Sequence, residues 1–190
     1  MPPAFKKPNR VKIKGRSSSI TNAFINGIVP YVKPTEEEID DVLNTFGMTR
    51  ESVVCAYCGG AYSEWDHFQS LIEKDGNPSG YITEIHNLVP ACGKCNQSKG
   101  SSYWYDWMIS DAPLSPKSKG IPDLNERIER LKKFEEKYTR IKCDFQEIVG
   151  KDLWEKHINN RKQLLDLMES CQETSDKIQK IIDEAFKHKK

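Results

Sequence analysis

The 190-residue chain lacks several features that assign a protein to a common class. It has no run of 18 apolar residues, so the sequence predicts no transmembrane helix and no membrane partner. Its first residues, Met-Pro-Pro-Ala-Phe-Lys-Lys, lack the apolar segment of a secretory signal, and we therefore expect a cytoplasmic protein. It also has no internal repeat and no low-complexity tract, which argues against a repeat architecture.

Acidic residues are missing from the first 34 positions, although the whole chain is nearly neutral with a net charge of +1. These positions hold seven Lys and Arg residues, and prolines at positions 2, 3 and 8 oppose a regular helix. A basic arm of this kind is typical of nucleic-acid contact, and a solvated tail is the alternative. The residues of the arm predicted to contact DNA are Lys6, Lys7, Arg10, Lys12, Lys14 and Arg16.

Four of the six cysteines form two Cys-x-x-Cys pairs, Cys55 with Cys58 and Cys92 with Cys95. Two such pairs suit one tetrahedral zinc ion, and a reducing compartment favours metal binding over disulfides. Four protein ligands leave no open position, so we predict a structural zinc rather than a catalytic one. The 33 residues between Cys58 and Cys92 exceed the roughly 15–20 of a zinc ribbon, so further structure must lie between the pairs.

An adjacent Asp66 and His67 lie in that intervening segment. Metal-assisted hydrolysis of a phosphodiester needs a carboxylate for the cation and an imidazole for the attacking water. Neighbouring residues of a regular strand face opposite sides, so the two side chains reach one site only if the strand ends or is distorted there. A surface pair without chemistry is the alternative.

The motif Tyr62-x-Glu-Trp-Asp-His-Phe, followed by Asn87-Leu-Val-Pro-Ala-Cys-Gly-Lys-Cys-Asn-Gln-Ser-Lys-Gly, resembles the HNH endonucleases, also called ββα-metal nucleases. It is most similar to their zinc-stapled branch, which has two Cys-x-x-Cys knuckles. The resemblance covers residues 53–108 and implies a small ββα-metal core.

The resemblance implies a role for each matching residue. His67 would be the general base, Asp66 and Asn96 would bind one catalytic Mg²⁺ or Mn²⁺, and Asn87 would hold the His-bearing loop by hydrogen bonds. The structural zinc ligands would be Cys55, Cys58, Cys92 and Cys95.

The chain departs from the family pattern in two places. The segment Phe68-Gln69-Ser70-Leu71 has no proline where the family often has one, and the last metal ligand is Asn rather than His. Within the motif, we also predict that Lys94 and Lys99 contact phosphate. His86 is a competing histidine, but as the neighbour of Asn87 it is expected to point away from the site.

Together these patterns predict an α+β fold with a ββα-metal core and a structural zinc held by four cysteines, flanked by an N-terminal arm and helix and by a C-terminal helical region. The predicted boundaries are 1–52 for the arm and helix, 53–110 for the HNH nuclease core, 111–122 for a linker and 123–190 for the helical region. Thr35 and Glu38 form a capping box for the N-terminal helix. In the core we expect a strand over Tyr62–Phe68, a short strand or ordered turn within Tyr81–Val89, and a helix from Cys92 to Met108.

The predicted function is a metal-dependent endonuclease acting on double-stranded DNA. A restriction endonuclease suits the small size and the extensions around one catalytic core, and a phage or mobile-element nicking enzyme fits nearly as well. A zinc-stapled DNA-binding module without catalysis is the alternative from another class. The apolar stripes of the helical region indicate either core or a partner surface, which leaves a homodimer open.

Overall fold

The computed structural model of the chain describes Phe5 and residues 8–187, so the predicted DNA contacts Lys6 and Lys7 lie outside the described residues. The chain divides into two compact units, one of residues 28–145 and one of residues 1–27 with 146–190. The helices and strands, in chain order, are α1 (Ser17–Asn26), α2 (Glu36–Thr45), β1 (Glu64–His67), β2 (Leu88–Ala91), α3 (Gly93–Lys99), α4 (Trp104–Met108), α5 (Leu124–Lys137), α6 (Phe145–Val149) and α7 (Lys151–Lys187). No helix among them is both long and apolar enough to cross a membrane.

Helix α2 begins at the predicted capping box. The Glu38 N–H donates to Thr35 Oγ1 at 3.2 Å, and the Thr35 N–H donates to Glu38 Oε2 at 2.8 Å. These two bonds satisfy backbone donors that the first turn of a helix otherwise leaves without partners. The helix ends before Gly47, whose φ of +69° is a conformation that glycine adopts without strain. The capping-box prediction is confirmed.

Strands β1 and β2 form a two-stranded antiparallel sheet, and α3 follows β2 almost directly. Glu64 lies opposite Ala91 and His67 lies opposite Leu88. The fold is therefore a mixture of helix and sheet, with strand, strand and helix in the predicted order around the cysteine pairs. Strand β1 is shorter than predicted. The segment predicted as a short strand or ordered turn contains both, a turn of 3-10 helix at Ile85–Asn87 and the start of β2.

The single helix predicted from Cys92 to Met108 is wrong, because the structure divides it into α3 and α4. The break lies at Gly100, whose φ is +52°. Positive φ is available to glycine at little cost and stops the helical hydrogen-bond series there. The chain then turns before Trp104, which starts α4 and is almost completely buried.

The core of the 28–145 unit draws on segments that lie far apart in the sequence. Phe46 at the end of α2, Val89 of β2, Trp104 of α4 and Phe134 of α5 are buried in one cluster. Phe68, the residue after His67, packs against Phe134 and Trp104 with ring centroids 5.1 and 5.5 Å apart. The core therefore anchors the chain directly after the predicted catalytic histidine. The segment 111–122 is a series of turns that leads from α4 to α5.

The other unit is built around the long helix α7, which starts after Gly150. A 3-10 turn, Ile13–Arg16, and α1 pack against it. The Ile13 N–H donates to the Gln172 side chain at 2.6 Å, and the Phe24 and His157 rings lie 5.2 Å apart. The expectation of an arm without regular helix is thus wrong for residues 13–26, since the prolines that oppose a helix all precede this segment.

Candidate functional site

The four cysteines predicted to bind zinc lie together. Their sulfur atoms are all within 4.8 Å of one another, and the Sγ atoms of Cys58 and Cys92 are 3.8 Å apart. A tetrahedral zinc with Zn–S bonds of about 2.3 Å places its ligand sulfurs roughly 3.8 Å from each other. The cluster can therefore hold a metal ion such as zinc.

The four thiols lie close enough to shift one another's pKa. Hydrogen bonding with Cys58 raises the pKa of the Cys55 thiol to about 11, while bonds from Cys55 and Cys95 lower the pKa of Cys58. A zinc ion would displace the thiol protons and allow four thiolates to share one centre. Lys119 Nζ, 3.6 Å from Cys95 Sγ, would offset part of the net negative charge of such a centre.

Arg127 of α5 contacts the backbone of the first Cys-x-x-Cys pair, Cys55 with Cys58, and this contact was not predicted from the sequence. Its Nη1 donates to the carbonyls of Cys55 and Ala56 at 3.2 and 3.3 Å. Asp123 holds the guanidinium from the other side with bonds of 2.9 and 2.7 Å. A Cβ at Gly59 would lie 2.3 Å from Arg127 Nη2, so a larger residue there would displace the guanidinium, and its φ of +73° also favours glycine. The pairing spans some 70 residues of sequence, and no local pattern indicates it.

Asp66 is buried, with 4% of its surface exposed, and its carboxylate has two partners. The Tyr57 hydroxyl donates to Oδ2 at 2.6 Å, and Lys99 Nζ lies 3.1 Å from the same oxygen. Burial raises the pKa of Asp66, while the charge of Lys99 opposes that rise. Tyr57, which sequence reasoning did not single out, is itself fully buried.

Lys99 is the buried cation of this arrangement rather than a surface residue. Its side chain is 0% exposed, and its ammonium also donates to the backbone carbonyl of His67 at 2.9 Å. This placement does not support the prediction that Lys99 contacts phosphate, because its charge is bound to Asp66 inside the core. Lys94, the other predicted contact on α3, is exposed.

His67 is the last residue of β1, and its imidazole is oriented by a residue that sequence reasoning missed. Its Nε2 lies 2.9 Å from the Thr83 hydroxyl. Burial, and secondly the charge of Lys99, lowers the pKa of His67 to about 4. The ring is therefore neutral near pH 7, and a neutral imidazole can accept a proton.

Asn87 fixes the turn that follows His67. Its Oδ1 accepts from the Gln69 N–H at 2.8 Å, and its Nδ2 donates to the carbonyls of Gln69 and Ile82 at 3.1 and 3.2 Å. The Phe68 N–H also donates to the Asn87 carbonyl at 2.8 Å. These are hydrogen bonds of the kind the resemblance implies for this residue, and its effect on catalysis stays a prediction.

The two predicted ligands of a catalytic cation make separate contacts. Asn96 Nδ2 donates to Glu64 Oε1 at 2.8 Å, whereas the Asp66 carboxylate is paired with Lys99. An ammonium this close to Asp66 opposes a divalent cation at the same carboxylate. Within the part of the chain that the structure describes, the four-cysteine cluster is the one group of His, Cys, Asp or Glu residues that could hold a metal. In this arrangement, then, the Asp66 carboxylate is occupied by Lys99 and not by a cation such as Mg²⁺ or Mn²⁺.

His86 makes contacts of its own with Glu84 and Tyr138. Its Nδ1 lies 3.4 Å from a carboxylate oxygen of Glu84, and its ring stacks on Tyr138 with centroids 4.6 Å apart. A groove of about 760 Å³ has Gln69 in its lining, and this lining does not include His67.

The described part of the basic arm is partly neutralised within its own unit. Arg10 pairs with Asp183 and Lys14 pairs with Glu169, both at 3.0 Å. These four side chains are about half exposed, so the pairs are weak and open to competition from phosphate. Lys12 and Arg16 are exposed.

Comparison of the chain with protein-family models, with curated protein sequences and with solved structures gave no match.

Proposed function

We propose that the protein is a zinc-stapled endonuclease that hydrolyses phosphodiester bonds of double-stranded DNA, with His67 as its general base. One observation carries the proposal. A neutral histidine stands at the end of β1, and Asn87 holds the next turn by bonds to both backbone groups of Gln69. A general base must be unprotonated and held in place, and the lowered pKa of His67 and the Thr83 contact of its ring support this role.

Hydrolysis of a phosphodiester bond requires an attacking water and neutralisation of the negative charge on the phosphate. The imidazole of His67 would take the proton from that water, while the hydrogen bond to Thr83 limits rotation of its ring. The zinc would have no part in the chemical step. It would join the two knuckles that flank the hairpin of β1 and β2, which is too small to be stable alone.

A requirement for Mg²⁺ or Mn²⁺ is a separate proposal. Such an ion would stabilise negative charge on the phosphate, and the oxygen ligands expected for it are Asp66 and Asn96. For Asp66 to serve, Lys99 would have to leave its carboxylate, because the two groups are 3.1 Å apart. The dependence of cleavage on each added cation therefore needs its own measurement.

The second candidate is a zinc-stapled DNA-binding module without catalysis. The ion pair of Asp66 with Lys99 favours it, since this pair fills the place of a metal ligand with an internal contact. Exposed Lys12, Arg16 and Lys94 serve either candidate as phosphate contacts, in line with the prediction of DNA as the partner.

Supercoiled plasmid separates the two candidates. The zinc-loaded protein is incubated with plasmid in the presence of Mg²⁺, of Mn²⁺ or of neither, and binding to the same DNA is measured in parallel by fluorescence anisotropy. Nicked or linear product supports the endonuclease. Binding without any product in all three conditions supports the binding module and contradicts the first proposal.

The biological role is a narrower proposal within the endonuclease. A restriction endonuclease and a phage or mobile-element nicking enzyme differ in their products, since the first cuts both strands and the second cuts one. Sequencing the ends of cleaved genomic DNA distinguishes them and identifies any recognition sequence.

A further inference from the structure

The chain beside His67 presents alternate side chains to solvent. Tyr81 and Thr83 are partly exposed, whereas Ile82 and Glu84 are buried. This alternation is that of an extended segment, in which every second side chain projects to the same face. The Thr83 hydroxyl, on the outer face, is the group that lies 2.9 Å from His67 Nε2. This outer face therefore adjoins the proposed general base.

The first neighbour of the outer face is Tyr31. The Thr83 N–H donates to the Pro30 carbonyl at 3.1 Å, and the Val32 N–H donates to the Thr83 carbonyl at 2.9 Å. These two bonds make Tyr31 the bridge partner of Thr83, and paired residues of neighbouring segments project to the same face. The Tyr31 side chain is 64% exposed, so it is open to a ligand next to the contact of Thr83 with His67.

The second neighbour is Lys142, which pairs with Tyr81. The Cys143 N–H donates to the Gly80 carbonyl at 2.8 Å, and Lys142 Nζ lies 5.2 Å from the centre of the Tyr81 ring. The stem of Lys142 lies along Gly80, because a Cβ added at that glycine would be 3.1 Å from Lys142 Cγ. Lys142 is exposed, and no carboxylate among the described residues pairs with it. Its positive charge is therefore free to bind an anion.

Lys142 is held in place by the residue two positions before it. The Arg140 guanidinium lies 4.6 Å from the centre of the Phe68 ring and 5.1 Å from that of Phe134. Phe68 follows His67 directly, so the segment that carries Lys142 is anchored on the same turn as the general base. Two residues of extended chain span roughly 6.6 Å, which is the step from Tyr81 beneath the ammonium to the residue that contacts His67.

The ring of His67 keeps one nitrogen open to solvent. With Nε2 donating to Thr83, Nδ1 is the acceptor, and it has no partner among the described residues. Arg140 Nε is the one buried side-chain nitrogen or oxygen in that part of the chain without a hydrogen bond. Nδ1 is thus reached by solvent, as the nitrogen that takes a proton from water must be.

We propose that Lys142 and Tyr31 bind the phosphate backbone of the DNA strand that His67 attacks, one on each side of Thr83. This inference deepens the proposed endonuclease and rests on its assignment of His67 as the base. Lys142 would pair with a phosphate oxygen, and the Tyr31 hydroxyl would donate to one.

The chemistry of the site gives this positive charge a role. Hydrolysis requires positive charge near the phosphate, and Lys99 of the core is bound to Asp66 and cannot supply it. Lys142 would bring such a charge to the outer face, whether or not a divalent ion also binds.

The first test measures DNA binding and needs no cleavage. The affinity of the full chain for a short labelled duplex is measured by fluorescence anisotropy at several salt concentrations. We expect Lys142→Met to weaken binding and to reduce the slope of log K against log salt by about 0.9, the value for one phosphate contact. Lys142→Arg keeps the charge and should keep the slope. Tyr31→Phe should weaken binding about threefold or more with the slope unchanged, because it removes an uncharged donor.

The matched control is Lys133→Met, the same substitution at an exposed lysine of α5 in the same unit. It should bind DNA with the affinity and slope of the wild type. Circular dichroism and urea denaturation check that each variant is folded. A Lys142→Met protein with the slope of the wild type, or with no larger effect than Lys133→Met, would overturn the proposal.

The second test locates the contact at His67 by single-turnover cleavage with saturating protein. Lys142→Met should cleave at least about tenfold more slowly than the wild type, and Lys133→Met at the wild-type rate. Weaker binding with an unchanged rate would place Lys142 on a remote phosphate and contradict the assignment. A wild type that binds with the Lys142-dependent slope but never cuts would overturn the endonuclease and leave the phosphate contact standing. A wild type that does not bind DNA would overturn both.

Discussion

The ammonium of Lys99 lies 3.1 Å from the carboxylate of Asp66, and both side chains are almost completely buried. Lys99 is on α3 and Asp66 is on β1, so this ion pair joins the helix to the sheet at the residue before His67. Because Lys99 also donates to the His67 carbonyl, it holds both the side chain of Asp66 and the backbone of His67.

Removing one member of this pair should destabilise the fold strongly. We expect Lys99→Met to lower the free energy of unfolding by about 3–5 kcal/mol at neutral pH, because it leaves a buried carboxylate without its cation. Adding Asp66→Asn to Lys99→Met should recover part of that loss. Urea denaturation of both single variants and the double variant measures the coupling.

The control for this double-mutant cycle of Asp66 and Lys99 is Lys94→Met, which is the same substitution at an exposed position of the same helix. It should change the free energy of unfolding by about 0.5 kcal/mol or less. Additive effects of the two buried substitutions would show that Asp66 and Lys99 do not form the pair described.

Asn87→Ala should destabilise the protein and weaken cleavage together. The substitution leaves the Gln69 N–H and the buried Ile82 carbonyl without their partner, and each such group costs about 1–3 kcal/mol. We expect a loss of at least about 2 kcal/mol, measured by urea denaturation. Asn44→Ala, an exposed position on α2, is the control and should have little effect. Equal stability of the two variants would exclude Asn87 as the clamp of this turn.

The low pKa of His67 should make stability depend on pH. The pKa of His67 is about 4 in the folded protein, and its ordinary value is 6.5. Between pH 6.5 and pH 4, the unfolded chain therefore binds a proton at this residue that the folded protein does not bind. The free energy of unfolding is unaffected by this residue above pH 6.5 and falls as the pH decreases towards 4. The whole effect is about 3 kcal/mol.

Urea denaturation across that range, without added Mg²⁺ or Mn²⁺, compares the wild type with His67→Gln. The difference in stability between the two proteins should shift by this amount in favour of the variant as the pH falls. A difference that is constant with pH would mean that His67 keeps its ordinary pKa in the fold.

The cysteine cluster should bind one zinc per chain. Elemental analysis of the purified protein checks the ratio, and Cys58→Ser should lose both the metal and the folded core, since zinc binding contributes directly to folding. Cys143→Ser and Cys171→Ser remove cysteines outside the cluster and should retain the zinc. Protein without zinc, or with Cys55 and Cys92 joined in a disulfide, would disprove the zinc site.

Features set by local spacing could be predicted from the sequence. The two Cys-x-x-Cys pairs are typical of one zinc site and their sulfurs do lie together, and the capping box of Thr35 and Glu38 depends on residues three positions apart. The order of two strands and a helix also follows from the motif.

Contacts between distant segments could not be predicted in the same way. No residue near Lys99 in the sequence indicates that its side chain is buried against Asp66, because a lysine at the end of a short helix is usually exposed to solvent. The hydrogen bonds of Arg127 with the Cys55 carbonyl and of Thr83 with His67 likewise depend on tertiary packing. The different partners of Asp66 and Asn96, which are Lys99 and Glu64, have the same origin.

The most direct test of the account is plasmid cleavage by His67→Ala beside His86→Ala. The two histidines lie in the same unit, but only His67 is placed as the base, whereas His86 stacks on Tyr138. The account predicts that, in the divalent ion that supports the wild type, His67→Ala loses at least about 10²-fold in single-turnover rate while still binding DNA. His86→Ala should cleave at a rate close to the wild type. A His67→Ala protein that is folded, zinc-loaded and cleaves as fast as the wild type would contradict the central claim.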